Sequence, residues 1–435
     1  MKRTRSTRQS PSKYNKRTEL SKPIKQTDPS ESCCVCLDTL DCKDNTIYTL
    51  PCHHQFHTLC IVDWFQTQDD LNTCPLCRRI VVIDLKLIIQ HEFKYSNKPW
   101  DILKDLILKC KVGCDSKLIN TTCQILQEIQ DIAPALKTTQ QTWIQLKDIW
   151  DPSIDSRVMC AFLKLIPSLK LQLNHQDNDG WTWAMSMAQC QTDKEVMLTF
   201  LKLIPNLKLQ LNRQTINNMS WAMFMARCQT DKEVILTFLK LIPSLKLQLD
   251  QQNKNGWTWA MCMARYQTDK EVMFTFLKLI PSLKIQQDQQ DKEGWTWTRL
   301  MARYQTDKEV MLTFLQLIPS LKIQQDQQDK DGWTWAMSMT RYQTDKEVIL
   351  TFLKLIPSLK LQLDQQNKNG WTWAMCMARH HTDKEVMLTF LEIIPNLILE
   401  LDQQNKDGMT WAMVMVRHQT DKEVMLAFLQ LIPDL

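Results

Sequence analysis

Residues 253–287, NKNGWTWAMCMARYQTDKEVMFTFLKLIPSLKIQQ, decide the fold of most of this chain. Asn255-Gly256 supplies a turn, and Thr258 stands where it can cap a short helix whose Trp259, Ala260, Met263 and Ala264 share one face. Thr268-x-x-Glu271 has the form of a capping box that opens a second helix, along which Val272, Met273, Phe276, Leu277 and Ile280 make one apolar stripe. Pro281 limits that helix, because the residue before a proline disfavours the helical region. Between units, segments such as LKLQL at 245–249 alternate in the manner of a strand. Each unit therefore reads as two helices and a protruding extended finger.

Working outward, the unit recurs every 38 residues. Asp-Lys-Glu-Val begins at Asp193, Asp231, Asp269, Asp307, Asp345, Asp383 and Asp421, and Asp155 opens a looser copy, DSRV. A fixed period of this size belongs to a stacked array rather than a closed globule, with stability drawn from contacts between neighbours. Six of the seven glycines (Gly180, Gly256, Gly294, Gly332, Gly370 and Gly408) share one column, which needs a positive backbone angle or a close approach of chain; Asn218 takes that place in the second unit. The unit resembles the ankyrin repeat in its Asn253-x-x-Gly256-x-Thr258 turn, its short helix and its Glu-Val-Met-x-x-Phe-Leu second helix. It departs from that family in having Trp-Ala-Met where Pro-Leu-His is usual, Ile-Pro-Ser in place of the terminal Gly-Ala, and 38 residues instead of 33. The expectation is a mainly α helical-repeat solenoid, divergent and ankyrin-like, over 155–435, with another helix-pair solenoid as the alternative.

Trp183, Trp221, Trp259, Trp297, Trp335, Trp373 and Trp411 recur on one helix face, the pattern of a core rather than of a ligand surface. Recognition is expected where units differ. Those places are the column Cys190, Cys228, Tyr266, Tyr304, Tyr342, His380 and His418, and the column Ser186, Phe224, Cys262, Leu300, Ser338, Cys376 and Val414. Arg227, Arg265, Arg303, Arg341, Arg379 and Arg417 form a ladder that would suit an acidic partner. The preferred reading is a solvated face relieved by the equally periodic aspartates.

Nearer the amino terminus the pattern is Cys33-x2-Cys36, Cys52-x-His54-x2-His57-x2-Cys60, Cys74-x2-Cys77. Eight thiol and imidazole donors suit two tetrahedral zinc ions, since Cys-x2-Cys lets one tight turn deliver two sulfurs to one metal. A stretch this short cannot build a large core, so metal binding would supply much of its folding energy. Cys34, His53 and Cys42 are taken as bystanders, and Phe56 as filler of the small core.

The ligand order, together with LPCHHQFHTLCIVDWF and NTCPLCRR, resembles the RING finger in its two-histidine variant over 31–82. That resemblance implies cross-braced zincs, with Cys33, Cys36, His57 and Cys60 on one ion and Cys52, His54, Cys74 and Cys77 on the other. It further implies a ubiquitin-protein ligase that recruits a ubiquitin-charged conjugating enzyme through Val35, Trp64 and Pro75. Arg78, after the last ligand, would donate hydrogen bonds to ubiquitin and the conjugating enzyme, a task suited to a rigid guanidinium fork. Such a ligase contributes positioning rather than a covalent intermediate.

At 435 residues and 44% apolar content the chain is too long for one ordinary domain and rich enough in apolar residues for substantial cores. The basic start lacks an apolar signal core, and the greasiest later run, 80–89, is broken by Asp84 and Lys86, so neither secretion nor a membrane span is expected. Sixteen cysteines then imply a reducing compartment, the cytoplasm. The net charge of +5 misleads as an average: in residues 1–30 nine basic residues against Glu19 and Asp28 give +7, so the remainder carries −2. That tail reads as disordered, a solubility device in the first instance and a nuclear-import segment in the second; an array without net positive charge argues against nucleic acid. Residues 83–154 read as a helical connector, amphipathic near Ile102–Cys110 and Leu118–Ile132. Thr142-Trp143 and IAPAL at 132–136 echo the repeat, as in a degenerate capping unit, and Cys110, Cys114 and Cys123 read as buried thiols. The function expected is a zinc-dependent ubiquitin ligase whose array holds the protein substrate; the alternative is a non-catalytic scaffold.

Overall fold

The computed structural model describes residues 32–40, 47–66, 73–81, 99–132, 153–168, 173–283, 285–286, 288–321, 326–359, 361–397 and 402–431. The chain divides into two compact units, Met1–Asn97 and Lys98–Leu435. Among the described residues no helix is long and apolar enough to cross a membrane. The basic tail, Cys42 and the repeat echoes at 133–136 and Thr142-Trp143 lie outside the described residues.

In the first unit, β1 (Ile47–Thr49) pairs antiparallel with β2 (Gln55–His57), Tyr48 opposite Phe56, and the chain runs directly into α1 (Thr58–Gln66). Leu40, Leu50, Phe56, Ile61, Phe65 and Val81 are buried with Cys33 and Cys74. This is a core too small to hold a fold by apolar burial alone. Phe56 fills it, as expected.

The second unit begins with α2 (Pro99–Lys109) and α3 (Ser116–Ile132), where the sequence is amphipathic. Cys110 is buried and its thiol donates to Thr122 Oγ1 at 3.2 Å, whereas Cys114 and Cys123 are only half-buried, against the expectation for them. α3 packs on α4 (Ser156–Leu165), which packs on the Lys194–Leu203 helix, so one layer of helices continues from the connector into the repeats.

Each repeat supplies a Trp-led helix, such as Trp259–Tyr266, and a Lys-led helix, such as Lys270–Leu279. Like packs on like along two layers. Thr258 caps the first helix as expected, accepting from the Met261 N–H. The second helix corrects the reading of its start. Asp269, not the Thr268/Glu271 box, is its cap, accepting from the Glu271 and Val272 N–H groups; one carboxylate satisfies two orphan donors and favours the positive helix end. Pro281 limits its helix as expected, the α-helix ending at Leu279 and Pro281 lying in a 3-10 turn, Ile280–Ser282, but in Lys232–Leu245 and Lys346–Leu359 the helix runs through Pro243 and Pro357.

The extended finger is absent from the described residues. After Leu245 the chain turns at Lys246 (φ 47°) and again near Leu249–Asp250, without strand pairing. Backbone N–H groups there go to side chains: Asn212 Oδ1 accepts from Gln248 at 2.7 Å and Asp250 Oδ1 from Gln286 at 2.7 Å, each reaching the next unit. These local polar acceptors compete with a ladder, and alternation alone does not reveal them.

Units are joined by three further periodic devices. Each Trp ring packs edge-on against a Phe of its own unit, and several against the preceding unit's Phe: Trp259–Phe276 at 5.5 Å and Phe276–Trp297 at 5.8 Å. A buried glutamine column closes helix ends: Gln305 Nε2 donates to Ala264 O at 3.0 Å and Gln267 O at 2.8 Å, carbonyls the preceding helix leaves open. Lysine and glutamate pair along the outer layer, as in Lys232–Glu271 and Lys270–Glu309, but exposed pairs contribute little. The glycine column meets both of its expected reasons. Gly294 has φ +83° and a Cβ there would lie 2.5 Å from Asp329 Cα, while Asn218 carries φ 58°.

Candidate functional site

Two zinc-type knuckles organise the first unit. In one, Leu37 N–H donates to Cys33 O and Cys33 N–H to Asp38 O; in the other, Arg78 N–H donates to Cys74 O and Cys74 N–H to Arg79 O. The residue after each second cysteine, Leu37 (φ 70°) or Arg78 (φ 55°), takes the left-handed conformation that closes the turn. The sequence folds this way because a tight turn lets two thiols three residues apart face one point.

Cys33, Cys36, His57 and Cys60 then gather as one tetrad, and Cys52, His54, Cys74 and Cys77 as the other, the four donor atoms in each lying within 4.8 Å of one another. β2 and α1 deliver His57 and Cys60 to the first knuckle; the turn between β1 and β2 delivers Cys52 and His54 to the second. Pairs one and three share a site and pairs two and four share the other, which is the cross-brace. Cys34 and His53 belong to neither tetrad.

The donors fit zinc. Tetrahedral coordination with Zn–S ~2.3 Å and Zn–N ~2.0 Å spaces donors roughly 3.4–3.8 Å apart. His57 Nδ1 lies 3.3 Å from Cys36 Sγ and 4.0 Å from Cys60 Sγ, and His54 Nδ1 3.5 Å from Cys74 Sγ. His57 Nε2 faces Thr39 O at 3.1 Å; donation to that carbonyl leaves Nδ1 as the metal-facing lone pair. Burial pushes the Cys74 thiol up to about 11 and raises that of Cys60 as well. Crowded thiols resist ionising together, and a divalent cation makes the thiolates the stable form. The two zinc ions are structural, since each tetrad fills a tetrahedral shell without an open position for substrate.

Around this centre Val35, Trp64 and Pro75 are half-buried and Arg78 is exposed. Trp64 is fixed by its indole N–H, which donates to Thr73 O at 2.8 Å and so ties α1 to the second knuckle. Sequence reasoning missed Leu37, Leu76 and Ile80, which are 81%, 49% and 63% exposed. The available signal was their place inside or just after a knuckle, where the core is too small to cover an apolar side chain.

In the array the tryptophan column is buried as expected. The two variable columns separate. Phe224, Cys262, Leu300, Ser338, Cys376 and Val414 are buried and Ser186 half-buried, so that column is packing rather than recognition; it lies on the face turned toward neighbouring units. Cys190, Tyr266 and His380 are exposed and Cys228, Tyr304, Tyr342 and His418 half-buried, which leaves that column reachable. The arginines also differ from the preferred reading. The periodic aspartates cap helices, and the guanidinium groups lie instead over aromatic rings: Arg303 is 5.0 Å from the Trp295 ring and 5.2 Å from Tyr342, and Arg341 4.6 Å from Trp333. Trp257, Trp295, Trp333 and Trp371, the half-buried first tryptophans of four Trp-x-Trp pairs, were the missed partners.

Comparison with known proteins agrees with this geometry. Residues 31–78 match the Ring finger domain family. E3 ubiquitin-protein ligase RNF181 of Rattus norvegicus is 36% identical over 61 residues, covering 14% of this chain and 34% of that protein. The probable E3 ubiquitin-protein ligase RHB1A of Arabidopsis thaliana is 36% identical over 61 residues, covering 14% and 30%. The match spans about a third of the length of these relatives. Solved structures similar to the chain include the ankyrin repeat domain of Bcl-3 (12% identity, TM-score 0.38, 58% of this chain and 99% of that one) and the human ASB11 ankyrin repeat domain (13%, 0.38, 57% and 97%). Residues 31–78 thus form a RING finger with two cross-braced zinc sites, and the second unit is an array of stacked helix pairs.

Proposed function

We propose that this chain is a RING-type ubiquitin-protein ligase: its zinc finger recruits a ubiquitin-charged conjugating enzyme and its array holds the protein whose lysines receive ubiquitin. The observation that carries the reading is the cross-braced pair of tetrads framing Val35, Trp64, Pro75 and Arg78. The named relatives that match over this segment are ubiquitin ligases, and this supports it further.

The chemistry asked of the finger is placement. Val35 and Pro75, held inside rigid knuckles, and Trp64, held by its bond to Thr73 O, give an apolar anchor that loses little side-chain entropy on docking. Arg78, exposed and directed by its left-handed backbone, presents N–H donors that would bridge ubiquitin and conjugating enzyme and restrain the thioester for attack by a lysine amine. Its place of action on this reading is the cytoplasm, the basic tail serving solubility in the first instance and nuclear import in the second.

The test is an in vitro reaction of zinc-loaded protein with activating enzyme and a panel of conjugating enzymes. Chains are expected with the native protein and are expected to fall at least about tenfold, roughly 1.4 kcal/mol, with Val35→Ala or Arg78→Ala. Absence of chains with every conjugating enzyme, from folded protein carrying two zinc ions, would favour the scaffold reading.

A further inference from the structure

The arginine column runs through six consecutive units, from Arg227 to Arg417, and in the first five of them the guanidinium lies over an aromatic ring. Arg265 contacts the rings of Trp257 (5.7 Å) and Tyr304 (4.4 Å), and Arg303 those of Trp295 and Tyr342; Arg379 lies 4.9 Å from Trp371. Except for half-buried Arg265, the arginines are exposed. Arg265 Nη1 donates to the Tyr304 hydroxyl, whereas Arg303, Arg341 and Arg379 make no described hydrogen bond, which leaves each a planar N–H fork suited to a carboxylate.

No described carboxylate occupies that fork. The tip carboxylates of Glu293 and Asp331 are met by Lys330 (3.2 Å) and Lys368 (3.5 Å), Asp329 is taken by Arg299, and the aspartates of the Lys-led helices are caps. Between successive arginines lies a cleft. One of about 310 Å³ is lined by Arg227, Asn253, Trp257, Cys262 and Arg265, and its counterpart three units on, about 190 Å³, by Arg341, Asn367, Trp371, Cys376 and Arg379. In the latter Asn367 is 5% exposed and its Nδ2 has no acceptor. A buried amide donor without a partner is costly, and its place in the cleft wall supplies a second donor for an anionic ligand.

We infer that this ladder captures an extended acidic peptide, with carboxylates seated on successive arginines. The rise between packed helices is ~8–10 Å. A polyproline II segment advances ~3.1 Å per residue with three residues per turn, so every third side chain returns to the same face after ~9.3 Å. The recognised sequence therefore carries Asp or Glu at every third position. A single-stranded nucleic acid would also find arginine and aromatic rings, but the chain outside its tail carries net −2 and the tip lysines Lys330 and Lys368 are already paired, so the peptide is favoured. This names the substrate class for the array under the ligase reading, on which its biological use rests.

The experiment is fluorescence polarisation with full-length, zinc-loaded protein and a labelled peptide of five Glu-Pro-Pro triplets. It contains no conjugating enzyme, so failure of capture and failure of transfer are read separately. Binding is expected to weaken as salt rises, to fall about tenfold or more in Arg303→Gln/Arg341→Gln, and to stay unchanged in Lys240→Gln/Lys278→Gln on the other layer. Arg303→Lys/Arg341→Lys, which keeps charge and stem, is expected to fall similarly and serves if the glutamine variant melts early by circular dichroism. Equal binding of the Gln-Pro-Pro counterpart, insensitivity to the arginine variants, tighter binding of a fifteen-nucleotide oligothymidylate, or no binding would each overturn the inference.

Discussion

Arg299 of one repeat and Asp329 of the next form an ion pair at 2.6 Å, with side chains only 1% and 5% exposed. Every other unit has methionine in the arginine's place, as at Met261, Met337 and Met375, and the aspartate's column holds Asn253, Asn367, Asn405 and Thr215, and aspartate again at Asp177 and Asp291. Arg299 also donates to Gly294 O and Ser338 Oγ. Burial lowers its pKa while Asp329 acts to raise it.

Arg299→Met alone is expected to destabilise the array by about 3 kcal/mol, because it leaves a buried carboxylate without its cation. Arg299→Met with Asp329→Asn restores the Met–Asn pairing of the two units that follow, Met337 with Asn367 and Met375 with Asn405, and is expected to return to within about 1 kcal/mol of the parent. A double-mutant cycle in urea reads both; additive losses would refute the pairing.

Chelation of zinc is expected to separate the two units. Structural zinc is worth ~10–16 kcal/mol in small fingers, so the first unit unfolds, while the array, which draws nothing from metal, keeps its helix signal. Limited proteolysis with mass spectrometry checks this: new cuts appear within 32–81 and residues 173–431 stay protected.

Two glycines in the same column should respond unequally. Gly294→Ala meets both a positive φ and the backbone of Asp329 at 2.5 Å, whereas Gly408→Ala meets positive φ with nothing within 4 Å. The first is expected to cost about 3 kcal/mol or more and the second about 1 kcal/mol, by thermal melts of each variant.

His381 stands in the buried glutamine column and makes one bond where glutamine makes two, its Nε2 donating to Thr340 O at 2.8 Å. Burial holds its pKa below the ordinary histidine value, so the folded protein keeps it neutral while the unfolded chain takes up a proton as pH falls through about 6.5. Its contribution is therefore complete above that pH and is lost as pH falls through the lower folded value. His381→Gln is expected to add about 1 kcal/mol at neutral pH and to widen its advantage over the parent below pH ~6. Equal pH profiles for the two proteins would contradict this assignment.

The sequence made the metal centre legible because eight Cys and His donors stand at metal-ligand spacing, and Cys33 to Cys77 gather into the two tetrads that the RING resemblance implied. The repeats were legible through periodicity, and the tryptophan column through its face. What escaped was decided by partners one unit away. Gln305 looks like a polar loop residue until it reaches Ala264 O, and LKLQL at 245–249 looks like a strand until Asn212 takes the Gln248 N–H. The arginines looked like a solvated ladder because nothing in a single unit shows Tyr342 coming back over Arg303.

The identity of the joints between repeats has a consequence for how such a chain can change. If 38 residues were excised from 272 to 309, Lys270 would meet Glu347 in the place of Glu309, and every ladder on either side would close again. An excision of 37 would put the pairings across that joint out of register, while those lying wholly on either side keep their spacing. The phase of the repeat, more than its letters, is the inherited quantity. Whole modules can be gained or lost by recombination, lengthening or shortening the receptor face in steps, while the finger that precedes it is left untouched.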